Sequence, residues 1–264
     1  MTSAAVGFQC PECVREGAAT VRQARTVGGG LVRGGDGVVT RAILAILIVM
    51  FVLQMLTGGL NGWLTTDLDG RGLAIASGEW WRLLSPVVLH ASILHIAFNG
   101  YALYLFGPPL ERWLGRTRFA VLFVASGFGG GVASYLFGVP NQAGVGASGA
   151  IFGIFGASIV LAHKLHYDLR PLLALLAINM FLGFYSAGID WHAHLGGLLV
   201  GAVLGAVLGY TPPRYNLTAF VASLCVIFVV GAALTMARTQ QIKDDPIWGP
   251  LVAASSTSGS AEGW

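Results

Sequence analysis

The sequence predicts an all-α fold, a polytopic membrane helical bundle, and two observations support that prediction. The first is composition: of 264 residues, 55% are hydrophobic, 10% are charged and 38 are glycine, with a mean hydropathy of +0.72. Soluble globular domains carry about 25% charged residues, so this chain lies outside their range. The second is the placement of charge, which is concentrated at the two ends and in short connections between long apolar stretches. The core is therefore predicted to be a set of helices in lipid.

The apolar stretches divide into seven predicted spans, bounded by turn residues and charges. In chain order the spans are Ala42–Leu60, Ser92–Gly107, Phe119–Val139, Ser148–Leu161, Pro171–Ala187, Asp190–Tyr210 and Leu217–Met236. The fourth span is short and follows a Gly-rich loop at 139–145. Because irregular backbone at membrane depth must be buried in protein or face water, this loop predicts a cavity.

Basic residues predict the orientation, because cytoplasmic loops are enriched in Lys and Arg. With a cytoplasmic N-terminus, eleven of the 15 basic residues lie inside, namely Arg15, Arg22, Arg25, Arg33, Arg41, Arg112, Arg116, Arg118, Lys164, Arg170 and Arg214. The four that lie outside are Arg71, Arg82, Arg238 and Lys243. The prediction is a multi-pass cell-membrane protein with an external C-terminus.

Four polar side chains lie in the first turns of spans that all enter from the external face in this orientation. They are His95 and Asn99 in the second span, Ser148 in the fourth and His194 in the sixth. Any one of them alone would be interpreted as a packing hydrogen bond between helices. Four at one depth, including a nucleophile and a base, instead predict a functional site that opens to the external face.

The types of these residues predict serine hydrolysis. A serine hydroxyl is a weak nucleophile until an imidazole removes its proton, and the oxyanion that forms needs preorganised donors. Ser148 and His194 fit the roles of nucleophile and base. His95 and Asn99 are one helical turn apart and can donate to one oxygen, and the Ser148 backbone N–H at a helix start can add a third donor.

Glycines predict close helix packing around this site. Gly146 and Gly149 allow close backbone approach beside the serine. The sixth span carries a stripe of glycines at a spacing of four residues, namely Gly197, Gly201, Gly205 and Gly209. Such a stripe predicts tight packing against the fourth span, with or without a catalytic purpose.

The sequence shows no third acid for a triad. Asp190 precedes His194 by one turn and could orient it, but Asp at a helix start is more often an N-cap, and we prefer that interpretation. His192 lies about 200° around the helix from His194 and is the weaker candidate for the base. The predicted site is therefore a Ser148/His194 dyad.

Several motifs in this order resemble those of the rhomboid family of intramembrane serine proteases, in its bacterial and actinobacterial form. The resemblance covers roughly Gly78 to Tyr210. The matching segments are Trp81-Arg82 within 78–84, His95-x-x-x-Asn99 within 94–99, Pro109–Arg112, Gly146–Gly153 and Ala193–Gly197.

The resemblance implies a six-helix core plus an additional C-terminal transmembrane helix. It implies that Ser148 is the nucleophile, that His194 is the general base, and that His95 and Asn99 stabilise the oxyanion. It further implies that Phe152 stacks on the catalytic imidazole and that Gly197 lets the sixth span approach the serine. The implied partners are the lipid bilayer and transmembrane protein substrates, cleaved in or near their transmembrane segments.

Three segments divide the chain: a cytoplasmic part at 1–40, the seven-helix domain at 41–237 and an external flexible tail at 238–264. Cys10 and Cys13 form a C-x-x-C, which is half of a zinc site, so we predict no metal and no cofactor. The pair resembles the end of a zinc module found before some actinobacterial rhomboids. The first external loop, with Trp63, Trp80, Trp81 and an Arg82 that is able to snorkel, is expected to anchor at the membrane interface.

Two other function classes stay open at this point. A non-catalytic rhomboid-like factor that binds membrane proteins would keep the fold but lack the serine or the histidine. A transporter would usually show an internal repeat, which the two halves of this chain do not share. The chain also lacks the dense basic and aromatic runs of a nucleic-acid surface, so nucleic acid is not an expected partner.

Overall fold

The structure is a computed structural model that describes residues 2–4, 7–12, 15, 26, 37–185 and 189–258. The described part of the chain contains seven long helices, one for each predicted span. They are α1 (Val38–Leu56), α4 (Ile93–Leu114), α5 (Arg116–Phe137), α6 (Ser148–Lys164), α7 (Arg170–Tyr185), α8 (Trp191–Tyr210) and α9 (Asn216–Asp244). The predicted helical membrane bundle is confirmed.

Shorter elements lie outside this bundle. In the described residues they are the strands β1 (Thr2–Ala4) and β2 (Gly7–Gln9), which pair antiparallel, and the helices α2 (Trp63–Leu68), α3 (Gly72–Ala76) and α10 (Gly249–Ser258). Cys10 follows β2 and is exposed, whereas Cys13 lies outside the described residues. Most of the predicted cytoplasmic part at 1–40 also lies outside them.

Hydropathy and burial separate central helices from peripheral ones. Among the described residues, four helices are long and apolar enough to cross a membrane, namely α1, α5, α8 and α9. Half of the apolar window of α5 is buried, against 17% for α1 and 11% for α9. α5 therefore lies inside the bundle, while α1 and α9 expose most of their apolar surface, which in a membrane faces lipid.

The centre of the bundle is α6, whose residues from Gly149 to Ser158 are all buried. It packs between α4, α5 and α8, and it contacts α4 through the rings of Phe155 and Phe106, whose centroids are 4.9 Å apart. Such a position explains why a 17-residue helix suffices here. Protein surrounds α6, so it does not need the full length of a lipid-exposed span.

The start of α1 is tied to α4 by a buried carboxylate. Glu111 accepts hydrogen bonds from the backbone N–H groups of Val39 and Thr40 at 3.0 and 2.9 Å, and from the Thr40 hydroxyl at 2.9 Å. The predicted end of the second span at Gly107 was too early, because α4 continues through Pro108 and Pro109 to Leu114. This extension is what carries Glu111 to the first turn of α1.

The loop between α1 and α4, residues 57–92, is organised around one buried ion pair. The Arg82 guanidinium donates to the Asp69 carboxylate at 3.1 Å, to Glu79 at 2.7 Å and to the Thr66 carbonyl at 2.7 Å. Only 6% of Arg82 is exposed. The expectation that Arg82 snorkels at the interface is therefore wrong, because carboxylate and carbonyl acceptors within the loop satisfy its donors.

The chain after Met236 departs from the predicted flexible tail. α9 continues to Asp244, and α10 folds back so that Val252 and Ile242 pack with Ile75 of α3 and with Leu83. The Tyr135 hydroxyl of α5 also hydrogen-bonds to Thr239 of α9 at 2.8 Å. Apolar contacts between residues far apart in the chain offset the low helix propensity of the Gly, Ser and Thr residues in α10.

Candidate active site

Ser148 is the first residue of α6, and loop 57–92 fixes the segment that precedes it. Gly146 donates its backbone N–H to the Pro86 carbonyl, and Gly144 accepts from the Gly70 N–H, each at 2.9 Å. Gly146 has a φ of 136°, which L side chains rarely adopt, so glycine is needed to turn the chain into the helix. Ser148 is half-buried at the end of this turn.

Close backbone contact joins α6 to α8, the helix that carries His194. A Cβ placed on Gly197 would collide with the Gly149 backbone, and one on Gly201 would collide with that of Gly153. The tight packing predicted from the glycine stripe is thus observed. It sets the first turns of the two helices side by side, with Ser148 in one and His194 in the other.

His194 is buried, with 6% of its surface exposed, and its ring lies flat against Phe152. The two ring centroids are 4.1 Å apart and the planes differ by 8°, which is the stacking that the resemblance implies. Within the described residues, His194 Nδ1 has no hydrogen-bond partner. The ring is therefore oriented by stacking and by the position of its helix.

Asp190 is the N-cap of α8, as the sequence predicted. Its Oδ1 accepts from the backbone N–H groups of His192 and Ala193 at 3.1 and 3.2 Å. Its Oδ2 accepts a hydrogen bond from the Ser134 hydroxyl of α5. His192 lies 3.3 Å from the same carboxylate through Nδ1 and stacks on Phe137. These contacts point His192 towards α5, on a different side of α8 from the α6 contact.

His95 lies against the turn that leads to Ser148. A Cβ placed on Gly146 would lie 2.8 Å from His95 Nε2 and 3.7 Å from Ser148 Oγ, so both atoms face the same small space. His95 Nδ1 accepts the Ala91 backbone N–H at 3.4 Å. A neutral imidazole that accepts at Nδ1 carries its proton on Nε2, so the His95 donor points towards the serine.

Asn99 lies one turn further along α4 and is 7% exposed. Its Nδ2 is buried and has no hydrogen-bond partner among the described residues. A buried amide donor without a partner costs free energy of about 1–3 kcal/mol, which calls for an explanation. A role in which this donor is used only by a reacting group would supply one.

A buried polar pair that was not predicted from the sequence lies behind His95. His90 and Gln54 are both 0% exposed, and the His90 backbone N–H donates to Gln54 Oε1 at 3.0 Å. The His90 ring meets the His95 ring edge to face, with centroids 5.1 Å apart. A glutamine in the first predicted span was the signal that could have revealed this contact, because polar residues inside spans are expensive in lipid.

The sequence profile and the similar proteins all indicate the same family. Residues 77–211 match the sequence profile described as Rhomboid domain. The chain is 38% identical over 192 residues to rhomboid protease GluP of Bacillus subtilis (strain 168), an alignment that covers 70% of this chain and 38% of GluP. It is 38% identical over 142 residues to putative rhomboid protease YdcA of the same organism, covering 52% of this chain and 71% of YdcA. Rhomboid protease AarA of Providencia stuartii is 30% identical over 189 residues, covering 61% of this chain and 66% of AarA.

Proposed function

This chain belongs to the rhomboid family of intramembrane proteases and is a multi-pass membrane protein, and we propose that it is a serine endopeptidase with a Ser148/His194 dyad. The packing of α6 on α8 through Gly149 and Gly197 is the observation that carries the proposal. It sets a serine and a buried histidine at adjacent helix starts, where a nucleophile and its base are needed.

In the proposed reaction, Ser148 Oγ attacks the carbonyl carbon of the scissile peptide and its proton passes to His194. The carbonyl π electrons move to oxygen, which becomes an oxyanion. As the tetrahedral intermediate collapses, the C–N bond breaks and His194 gives the proton to the leaving amine. His194 then takes a proton from water, whose hydroxyl oxygen attacks the acyl-enzyme. The Ser148 Oγ leaves and regains its proton.

We assign the oxyanion contacts to His95 Nε2, Asn99 Nδ2 and the Ser148 backbone N–H. The acceptor role of His95 Nδ1 supports this assignment, since it leaves the Nε2 proton directed at the space beside Ser148 Oγ. The buried, unpartnered Asn99 amide of the described chain supports it as well. Donors that are already in place stabilise the developing charge without a reorganisation cost.

We propose membrane proteins as the substrates, cleaved in or near a transmembrane segment. A helix holds each carbonyl in hydrogen bonds from i to i−4, so a substrate helix must unwind locally before Ser148 can attack. Substrates with Gly, Ser or other helix-weakening residues near the external interface are therefore favoured. The proposed orientation, with the N-terminus in the cytoplasm, follows from the placement of eleven basic residues inside and four outside.

A direct test is cleavage of a fluorogenic transmembrane substrate by the purified protein in detergent. Ser148→Ala and His194→Ala are expected to abolish cleavage, and a fluorophosphonate probe is expected to label Ser148 only when His194 is present. Ser158→Ala, on the same helix, and the exposed His163→Ala are matched controls that should keep full turnover. Normal cleavage by either dyad variant would rule out the dyad, and a silent wild type would favour a non-catalytic binding factor.

A further inference from the structure

We propose that Ser134 and Asp190 form a clamp that positions His194, an inference that rests on the proposed function. The clamp joins the first turn of α8 to α5. Asp190 accepts two backbone N–H groups of α8 through Oδ1, at 3.1 and 3.2 Å, and the Ser134 hydroxyl of α5 through Oδ2. One carboxylate therefore caps the helix that carries His194 and ties that helix to its neighbour.

A second contact lies beside the first. Phe137 is one turn after Ser134 on α5, and its ring stacks on His192, with centroids 6.1 Å apart and planes 23° apart. His192 Nδ1 is also 3.3 Å from Asp190 Oδ1. Ser134 and Phe137 of α5 thus contact Asp190 and His192 at the start of α8. His194 lies in the same first turn.

The rest of the interface explains why α8 needs this clamp. Towards α5 and α6, the helix presents Gly196 and Gly197, and added Cβ atoms there would collide with the backbones of Gly129 and Gly149. Near the start of α8 these glycine contacts let the helices approach closely but supply no interlocking side chains, and Val200 packs on Gly129 only one turn further along. Such contacts set the separation of the helices better than they set the rotation of α8 about its own axis.

That rotation decides where the His194 ring points. In the described structure no hydrogen bond holds His194 Nδ1, so no acid fixes the ring as it would in a triad. Stacking on Phe152 limits the tilt of the ring, and the direction of its Cα–Cβ bond depends on the first turn of α8. The clamp acts on that turn, so Ser134 and Asp190 are positioning residues for the base.

The test measures turnover per functional site in the full-length protein. Active sites are titrated with a fluorophosphonate, and kcat and KM are measured for Ser134→Ala, Asp190→Ala and Asp190→Asn. Because a displacement of about 1 Å can cost 100-fold in rate, we expect kcat to fall about 10- to 100-fold in Asp190→Ala and about ten-fold in Ser134→Ala. KM should stay within about two-fold, since the clamp does not touch the substrate.

Two further variants separate positioning from general stability. Asn caps helices about as well as Asp through its Oδ1, and its Nδ2 can then donate to the Ser134 hydroxyl oxygen, so Asp190→Asn should retain turnover within about three-fold of wild type. Ser126→Ala is the control on α5, the helix that carries Ser134. It removes a buried hydroxyl that has no hydrogen-bond partner in the described chain, and it should leave kcat unchanged. The double variant of Ser134→Ala and Asp190→Ala should be no slower than Asp190→Ala, because both changes break one contact.

The outcomes are distinguishable. Unchanged kcat per titrated site in both Ser134→Ala and Asp190→Ala overturns the clamp, even if their thermal stability falls. An equal loss of kcat in Ser126→Ala overturns it too. If the wild type neither cleaves the substrate nor reacts with the probe, the proposed function fails and the clamp fails with it. If the wild type is active and labelled but the clamp variants keep its kcat per titrated site, only the clamp is overturned and the proposed function stands.

Discussion

Phe152 and His194 stack face to face, with ring centroids 4.1 Å apart. Phe152 lies one helical turn after Ser148, so a single helix carries the proposed nucleophile and the surface against which the proposed base rests. Any movement of α6 therefore shifts Ser148 and the Phe152 ring together.

Replacing Phe152 by Leu tests the importance of this stack. The change keeps an apolar side chain but removes the aromatic face, which is worth about 1 kcal/mol in a ring pair. We expect kcat to fall about five-fold, as a loss of that size implies. Phe119→Leu is the matched control, because Phe119 is fully buried on α5 and its loss should lower thermal stability without changing kcat. Equal kcat values in the two variants would contradict the role of the stack.

Gly197→Ala tests the approach of α8 to α6. The added methyl group would meet the Gly149 backbone, which cannot move aside, so the helices must separate. Overpacking of this kind costs about 1–3 kcal/mol, and we expect kcat to fall about 100-fold from the displaced base. Gly209→Ala is the control, since its methyl group would meet the end of the Leu161 side chain. The measurements are kcat and the thermal unfolding temperature of both variants. Identical effects in Gly197→Ala and Gly209→Ala would argue against a special role for the contact of Gly197 with Gly149.

Arg82→Met tests the ion pair that organises loop 57–92. It leaves the buried Asp69 carboxylate without the Arg82 guanidinium, and it also removes the donor from the Glu79 carboxylate and from the Thr66 and Asp69 carbonyls. Breaking a buried pair on one side costs about 3–5 kcal/mol, and we expect a loss of that order in the free energy of unfolding. Arg71→Met removes the other arginine bound to Asp69, whose side chain is 40% exposed, and should cost about 1 kcal/mol or less. Denaturation in detergent measures both, and equal losses would show that burial of Arg82 is unimportant.

Truncation after Asp245 tests whether α10 supports the first loop. It removes Trp248 and Val252, which pack with Ile75 and Leu83. Burial of a large apolar side chain is worth about 1.5–3 kcal/mol, so we expect stability to fall by roughly 3 kcal/mol and proteolysis of loop 57–92 to accelerate. Truncation after Ser258 is the control and should change neither. An unchanged melting temperature in the shorter protein would mean that the contact contributes nothing.

The sequence predicted the bundle well because the properties that define a membrane helix are local. Apolar length marks each span wherever its neighbours lie, so all seven appear as helices. The helix caps are equally local, and Asp190 caps α8 as its position suggested. Predictions failed where the structure of a segment depends on residues far away in the chain. Arg82 is buried because acceptors within the loop satisfy its donors. The predicted flexible tail contains a helix that packs on Ile75 of α3 and on Leu83.

By itself, the sequence determined the class of the protein, the seven helices and the residues able to do the chemistry. Only the tertiary structure decided which of these residues meet. The hydrogen bond of Ser134 to Asp190 and the contact of His90 with His95 each join residues that lie apart in the sequence or on different elements, and no sequence pattern indicated either. A periodic pattern gives the face of each helix but not the rotation and separation of two helices. Those follow from which backbones can touch, and here glycines allow α5, α6 and α8 to do so.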